Sequence, residues 1–235
     1  MRGRGPSRGF VFDPHRLALP AWDACGEGQP VLVLTLDRHL DTVPPRTPPP
    51  RGLRGPALDA FTRASLDPRN LDHVLAGMEA GVVSHLVAVA RTVLPGAATG
   101  PTWTDGGGEL HELVRAPTVD ALACDWGLPR ASPASQRAWA LVRAAPRLVL
   151  DVDLDCFTTP SDADPTQVVP WPRELIRDFL LPRGSEPFWD DVLARCAGLT
   201  LAREPLHCGG LVASGRLFED LAQVLFVELL RTDLP

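Results

Sequence analysis

Two apolar runs set the pattern of the chain. Residues 31–36 read Val, Leu, Val, Leu, Thr, Leu, and residues 148–150 read Leu, Val, Leu. Their length and β-branching predict buried strands. Each run gives way to polar residues at alternate positions: Asp37, His39 and Asp41 after the first, Asp151, Asp153 and Asp155 after the second. In an extended chain alternate side chains share a face. Each strand end is therefore predicted to present three ligand-type groups together.

The remaining pattern predicts smaller elements. Residues 9–13 suit a short edge strand, and 17–22 a short helix or an irregular segment. The proline-rich stretch 42–58 has neither helical nor strand periodicity and is expected to be a loop on the substrate side. A helix is predicted over 70–81, ended by Gly81. Residues 82–89 fit a strand or a second helix, 111–117 a short strand, and 135–142 an edge strand. Helices are predicted at 171–180, where Pro172 stands near the start, at 187–197 and at 216–230, with a strand at 199–204 and a turn at 205–210. Residues 1–8 offer little to bury and are expected to be a disordered tail, which leaves 9–235 as one domain. Strands alternating with helices indicate a layered α/β fold with a mainly parallel sheet. Such sheets bind ligands beyond the carboxyl ends of their strands, where both acidic sets fall.

Composition narrows the partners. A net charge of −6 argues against nucleic acid. No apolar run approaches the length of a membrane span; the longest, 82–90 and 221–230, contain His85 and Glu228. No apolar segment of the secretory type follows the basic N-terminus. The five cysteines form no Cys-x-x-Cys pair, which suits a reducing compartment. A cytoplasmic protein acting on neither membrane nor nucleic acid is expected.

Hard carboxylate oxygens with one or two imidazoles suit Mn²⁺ or Mg²⁺, and admit Zn²⁺, Co²⁺ or Fe²⁺. So many carboxylates in one place are costly without counter-cations. A pair of divalent ions would offset that cost and activate water. A two-magnesium phosphatase or nuclease uses similar acidic strand ends, but no basic cluster stands in sequence beside these to hold phosphate.

The same residues resemble the arginase/ureohydrolase superfamily. An Asp-x-His-x-Asp motif (Asp37, His39, Asp41) is followed by an Asp-x-Asp motif (Asp151, Asp153), with His15 upstream. The segments 12–22, 81–86 and 150–157 are similar, more narrowly, to the UPF0489 group, which includes peptide arginases. The resemblance implies a three-layer α-β-α, arginase-like fold and two manganese ions. His15, Asp37, Asp41 and Asp151 would hold one ion, and Asp37, His39, Asp151 and Asp153 the other; Asp155 would lie outside both sets. It implies hydrolysis of arginine within a peptide substrate to ornithine and urea. Glu204 is the implied partner of the guanidinium, a planar donor fork that a carboxylate matches. His85, His111 and His207 compete for the proton-carrying role, while His73 is expected to be a solvated helix residue. The chain departs from free-arginine enzymes after Asp41, where Thr42, Val43, Pro44 and Pro45 replace the polar residues that grip the α-groups. That fits an arginine embedded in a peptide, and equally a loss of arginase activity. Another binuclear-metal amidase or deacetylase-like hydrolase, or a non-catalytic metal-stabilised peptide-binding protein, would carry the same signature.

Overall fold

The structure, a computed structural model, describes residues 6–164 and 167–230. Residues 1–5 of the expected tail, and the last five residues, lie outside them. Ser7 and Arg8 are joined to the body: the Ser7 hydroxyl donates to the Ala197 carbonyl at 3.0 Å, and the Arg8 carbonyl accepts from the Leu199 amide at 2.9 Å.

The strands are β1 (Gly9–Phe12), β2 (Val31–Leu40), β3 (Val83–Val93), β4 (Thr102–Thr104), β5 (Leu110–Ala116), β6 (Leu148–Asp153), β7 (Thr158–Pro160), β8 (Val168–Pro170) and β9 (Cys196–Ala202). The helices are α1 (Ala18–Gly26), α2 (Gly55–Ser65), α3 (His73–Glu79), α4 (Val119–Ala123), α5 (Pro133–Ala144), α6 (Arg173–Leu180), α7 (Glu186–Leu193) and α8 (Leu211–Ala222). Among the described residues, seven strands form one sheet in the order β1-β9-β6-β2-β3-β5-β4, and β7 and β8 form a separate hairpin. Only β4 runs antiparallel within the large sheet.

The two faces of the sheet bury different residues of the same strands. Val31 and Val33 of β2, with Val149 of β6, pack with α1, α2 and α3. Leu32, Leu34 and Leu36, with Leu148 and Leu150, pack with α4 to α8. Burial on both sides is why these strands read as continuous apolar runs rather than alternating ones. The architecture is thus the three-layer α-β-α arrangement with a mainly parallel sheet, as expected for an arginase-like chain. From β2 the sheet grows one way through β3 and the other way through β6, so the strand order reverses between β2 and β6. The crossing helices change face with the direction of growth, as right-handed crossovers require.

Several elements depart from the sequence pattern. Residues 135–142 are not an edge strand but the middle of α5. The Ser132 hydroxyl caps that helix by accepting from the Ser135 amide at 3.1 Å, Pro133 opens it, and Ser135, Ala138 and Val142 turn one stripe inward. The proline-rich segment does not remain a loop to residue 58, because Gly55 and Pro56 open α2. Residues 82–89 resolve as strand, and Gly81, at φ 72°, makes the turn into them. The last helix begins earlier than expected, at Leu211, and continues from Gln223 to Leu229 with π-helical bonding.

Close approach of α1 to β9 depends on Gly198. A methyl group there would sit 2.2 Å from Cys25 Sγ and 3.3 Å from its Cβ. Gly198→Ala should therefore cost about 1–3 kcal/mol as an overpacked contact, measured by denaturant unfolding. Adding Cys25→Ala should recover most of the loss; failure to recover would place the strain elsewhere.

Candidate metal centre

The reversal of strand order leaves a crevice at the carboxyl ends of β2 and β6, the usual ligand position in such sheets. Asp37, His39 and Asp41 arrive from the end of β2. Asp153 ends β6, and its carboxylate caps the following 3₁₀ turn (Leu154–Phe157) by accepting from the Asp155 amide at 3.0 Å. That turn swings Asp155 back toward β2, where its carboxylate accepts from the Arg38 amide at 3.2 Å. His15 comes from the short turn after β1.

These groups converge. Nδ1 of His15 lies 3.4 Å from Asp37 Oδ2, 3.5 Å from Asp41 Oδ2 and 3.1 Å from Asp153 Oδ2. Nδ1 of His39 lies 3.0 Å from Asp155 Oδ2. His15, Asp37 and Asp153 form one group of metal-ligand geometry, and Asp37, His39 and Asp155 form a second. Asp37 belongs to both. Asp41 joins His15 in a third group with His73.

Asp151, which the resemblance implies as a ligand of both ions, lies behind His15. It sits between Thr35 of β2 and Thr200 of β9 in the strand register. Its Oδ1 accepts from the Thr200 hydroxyl at 2.5 Å, and its Oδ2 accepts from the Thr35 hydroxyl at 2.8 Å. Oδ2 also lies 2.8 Å from His15 Nε2. With both oxygens engaged, Asp151 orients His15 from below, as a carboxylate behind a ligating imidazole does. The ligand groups of the crevice include Asp153 and Asp155 but not Asp151. Those two aspartates stand one alternate position further along the chain than Asp151 and Asp153.

The histidines separate clearly. His85 pairs with Leu32 near the start of β3, whereas Asp37 pairs with Ala90. Five residues of strand put His85 about 16 Å from the crevice. Its Nδ1 accepts from the Glu112 amide at 3.0 Å, and its ring neighbours His111, so neither belongs to the site. His207 is half-exposed on the turn after β9, with Nε2 3.9 Å from Glu204 Oε2. Glu204 is buried; its Oε1 accepts from the His15 amide at 2.5 Å. His73, expected in solvent, is fully buried and stacks on His15 with ring centroids 4.4 Å apart. Nothing local in the sequence distinguished it; only its place under Trp22 and His15 does.

The electrostatics call for cations. Asp37, Asp41, Asp151, Asp153 and Asp155 are all buried. Burial, then the Asp37 charge, pushes Asp41 up to about 8. Burial and neighbouring Asp155 raise Asp153 well above the carboxylate range, and burial likewise raises Asp37. Burial opposes charge on Asp155 too, but the His39 pair outweighs it and holds that carboxyl low. Burial and the nearby His15 drive His73 down to about 3, so it is neutral. At the site two imidazole nitrogens are left over: His15 Nδ1 and His73 Nε2 are buried without an aligned hydrogen-bond partner. Unmatched nitrogens beside crowded carboxylates fit divalent cations, and the two groups sharing Asp37 fit a pair of them. Such a centre is consistent with a binuclear-metal hydrolase or amidase.

No family model matches the chain, and no curated protein matches it. Among the described residues no helix is long and apolar enough to cross a membrane.

Two outcomes test the centre. Asp151→Asn should lower divalent-ion affinity about 10–100-fold, as loss of a partner behind a ligand does, in a calorimetric titration; unchanged affinity would remove Asp151 from the site. The second concerns pH. Asp37, Asp41 and Asp153 have raised folded pKa values, so their stabilisation is complete below the unfolded value of about 4 and is lost as pH rises through the folded one, about 8 for Asp41. Asp151 and Asp155, held low, act only below about pH 4. His73 acts oppositely, between about 3 and 6.5, but is outnumbered. The melting temperature of metal-free protein should therefore fall between about pH 5 and 8, and divalent ions should flatten the slope. A metal-free melting temperature that rises over that range would contradict the assignment.

Proposed function

We propose that the protein is a manganese-dependent hydrolase of the guanidino group of arginine, acting on arginine within a peptide and releasing urea and leaving ornithine. The observation that carries this reading is the convergence of His15, Asp37, Asp153, His39 and Asp155 into two adjoining ligand groups with Asp37 common to both, and of Asp41 with His15 beside them. Carboxylate-rich donors with one imidazole per group suit Mn²⁺. When bound, a pair of such ions supplies charge neutralisation and activation of water.

The chain's own residues have the following parts. His15, Asp37, Asp41 and Asp153 would hold one ion; Asp37, Asp153, His39 and Asp155 would hold the other. Glu204 Oε1 is committed to the His15 amide, and Oε2 lies 3.9 Å from the His207 ring. That oxygen is the acceptor for a guanidinium N–H, in a charge-assisted hydrogen bond. Water adds its oxygen to the guanidinium carbon, and the bond from that carbon to the side-chain nitrogen breaks. The departing nitrogen takes a proton and becomes the ornithine amine. His207, half-exposed at the rim with Nε2 3.9 Å from Glu204 Oε2, would carry that proton.

Two features support a peptide over free arginine. Thr42, the one hydroxyl in the stretch after Asp41, is buried and donates to the Ala98 carbonyl at 2.8 Å, so it offers nothing to free α-groups. The rim beside His207 exposes Leu206 at 93%, Leu211 at 75% and Val212 at 71%, an apolar bank against which a peptide flank can lie.

The test is urea release from an arginine-containing peptide with Mn²⁺, with ornithine located by mass spectrometry. Asp37→Ala should reduce the rate by more than about 100-fold, beyond the loss typical of residues behind the ligands. Turnover of acetyl-lysine peptides instead would assign an amidase. No urea from peptide, free arginine or agmatine would overturn the reading.

A further inference from the structure

We propose that Asn70 is the positioning residue of the metal centre, fixing both buried histidines, one through its side chain and one through its carbonyl. The inference rests on the geometry of the cluster and not on which bond the cluster cleaves.

Asn70 is buried and lies in the left-handed region at φ 64°. Its Nδ2 donates to Glu204 Oε1 at 2.5 Å. The same oxygen accepts the His15 amide at 2.5 Å. On the other side, Asn70 Oδ1 accepts from the Arg16 guanidinium at 2.9 Å and from the Arg16 amide at 3.3 Å. Two successive amides, His15 and Arg16, are thus tied to one side chain, the first through Glu204 and the second directly. This fixes the backbone from which the His15 imidazole projects. The Asn70 carbonyl then accepts from His73 Nδ1 at 2.9 Å. That bond sets the His73 tautomer, with the proton on Nδ1 and a lone pair on Nε2.

The position needs an amide. It must donate to a carboxylate and accept from a cation with one short side chain, and it must tolerate a positive φ; asparagine meets all three requirements. Aspartate has no donor and would set a second carboxylate against Glu204. Glu204 is itself at φ 38°, so the carboxylate that links Asn70 to His15 is held at a strained turn. A residue that merely shaped the 67–72 turn would need none of the contacts with Glu204.

The experiment compares Asn70→Asp and Asn70→Gly in the full chain. Glycine retains the positive φ and the carbonyl, and removes only the side chain. Mn²⁺ affinity is read by titration and ligand geometry by the visible absorption of the Co²⁺-loaded protein. Both variants should keep the wild-type circular dichroism and lose about 10–100-fold in Mn²⁺ affinity, with an altered cobalt spectrum. Wild-type affinity and spectrum in the two Asn70 variants would overturn the proposal even if their melting temperatures fall, since a turn residue alone predicts that. Should the aspartate variant fail to fold, the glycine variant decides by the same two outcomes. A wild-type chain that binds neither ion overturns the proposal together with the metal centre. Urea is not read, so failure of the arginine assay alone leaves it standing.

Discussion

Five aspartate carboxylates, Asp37, Asp41, Asp151, Asp153 and Asp155, are buried at one edge of one sheet, and their mutual repulsion governs the site. Burying a single unpaired carboxylate costs several kcal/mol. The fold tolerates the group because each member is given a partner of a different kind. Asp151 is held by two threonine hydroxyls and an imidazole. Asp155 takes His39 and a main-chain amide. Asp37, Asp41 and Asp153 are left facing His15 Nδ1, and their raised pKa values record that one imidazole does not suffice. The remaining deficit is what divalent cations would fill.

The same constraint explains the arrangement around the crevice. A metal site needs its ligands fixed before the ion arrives, and here the fixing is done by elements distant in sequence. Thr35, Asp151 and Thr200 lie side by side on three adjacent strands, so the sheet itself sets the floor of the site. Trp22 of α1 donates to the Thr200 hydroxyl at 3.2 Å and stacks on His73, joining the helical layer to that floor. Arg91 ties the loop after β6 to β3 through the carbonyls of Cys156 and Thr158, at 2.6 and 2.9 Å, and its guanidinium lies over the Trp171 ring. The apolar layers on either face supply rigidity, and the polar edge supplies chemistry.

Much of this was legible in the chain. The apolar runs before Asp37 and Asp151 are central strands because burial on both faces leaves no room for alternation. Of Asp37, His39 and Asp41 at alternate positions on β2, Asp37 and His39 share a ligand group, while Asp41 joins His15 in another. Other features resisted. Ser135 to Val142 is too short and mixed for its pattern alone to decide, and its buried Ser135, Ala138 and Val142, with the Ser132 cap and Pro133, mark it as helix. His73 reads as an ordinary polar helix residue, and only the packing of α3 under His15 removes it from water.

The sequence by itself determined which strands are buried, which strand ends are acidic and which chemistry those acids suit, because side-chain type and period two are local properties. It did not determine which two of Asp151, Asp153 and Asp155 enter the ligand groups of the crevice. Three identical carboxylates at alternate positions are equivalent until the neighbouring strands fix a register. Pairing of Thr35 and Thr200 with Asp151 places that residue one step below the rim, and the turn after Asp153 lifts Asp155 into its place. Register is a relation between strands, so only the tertiary structure could decide it.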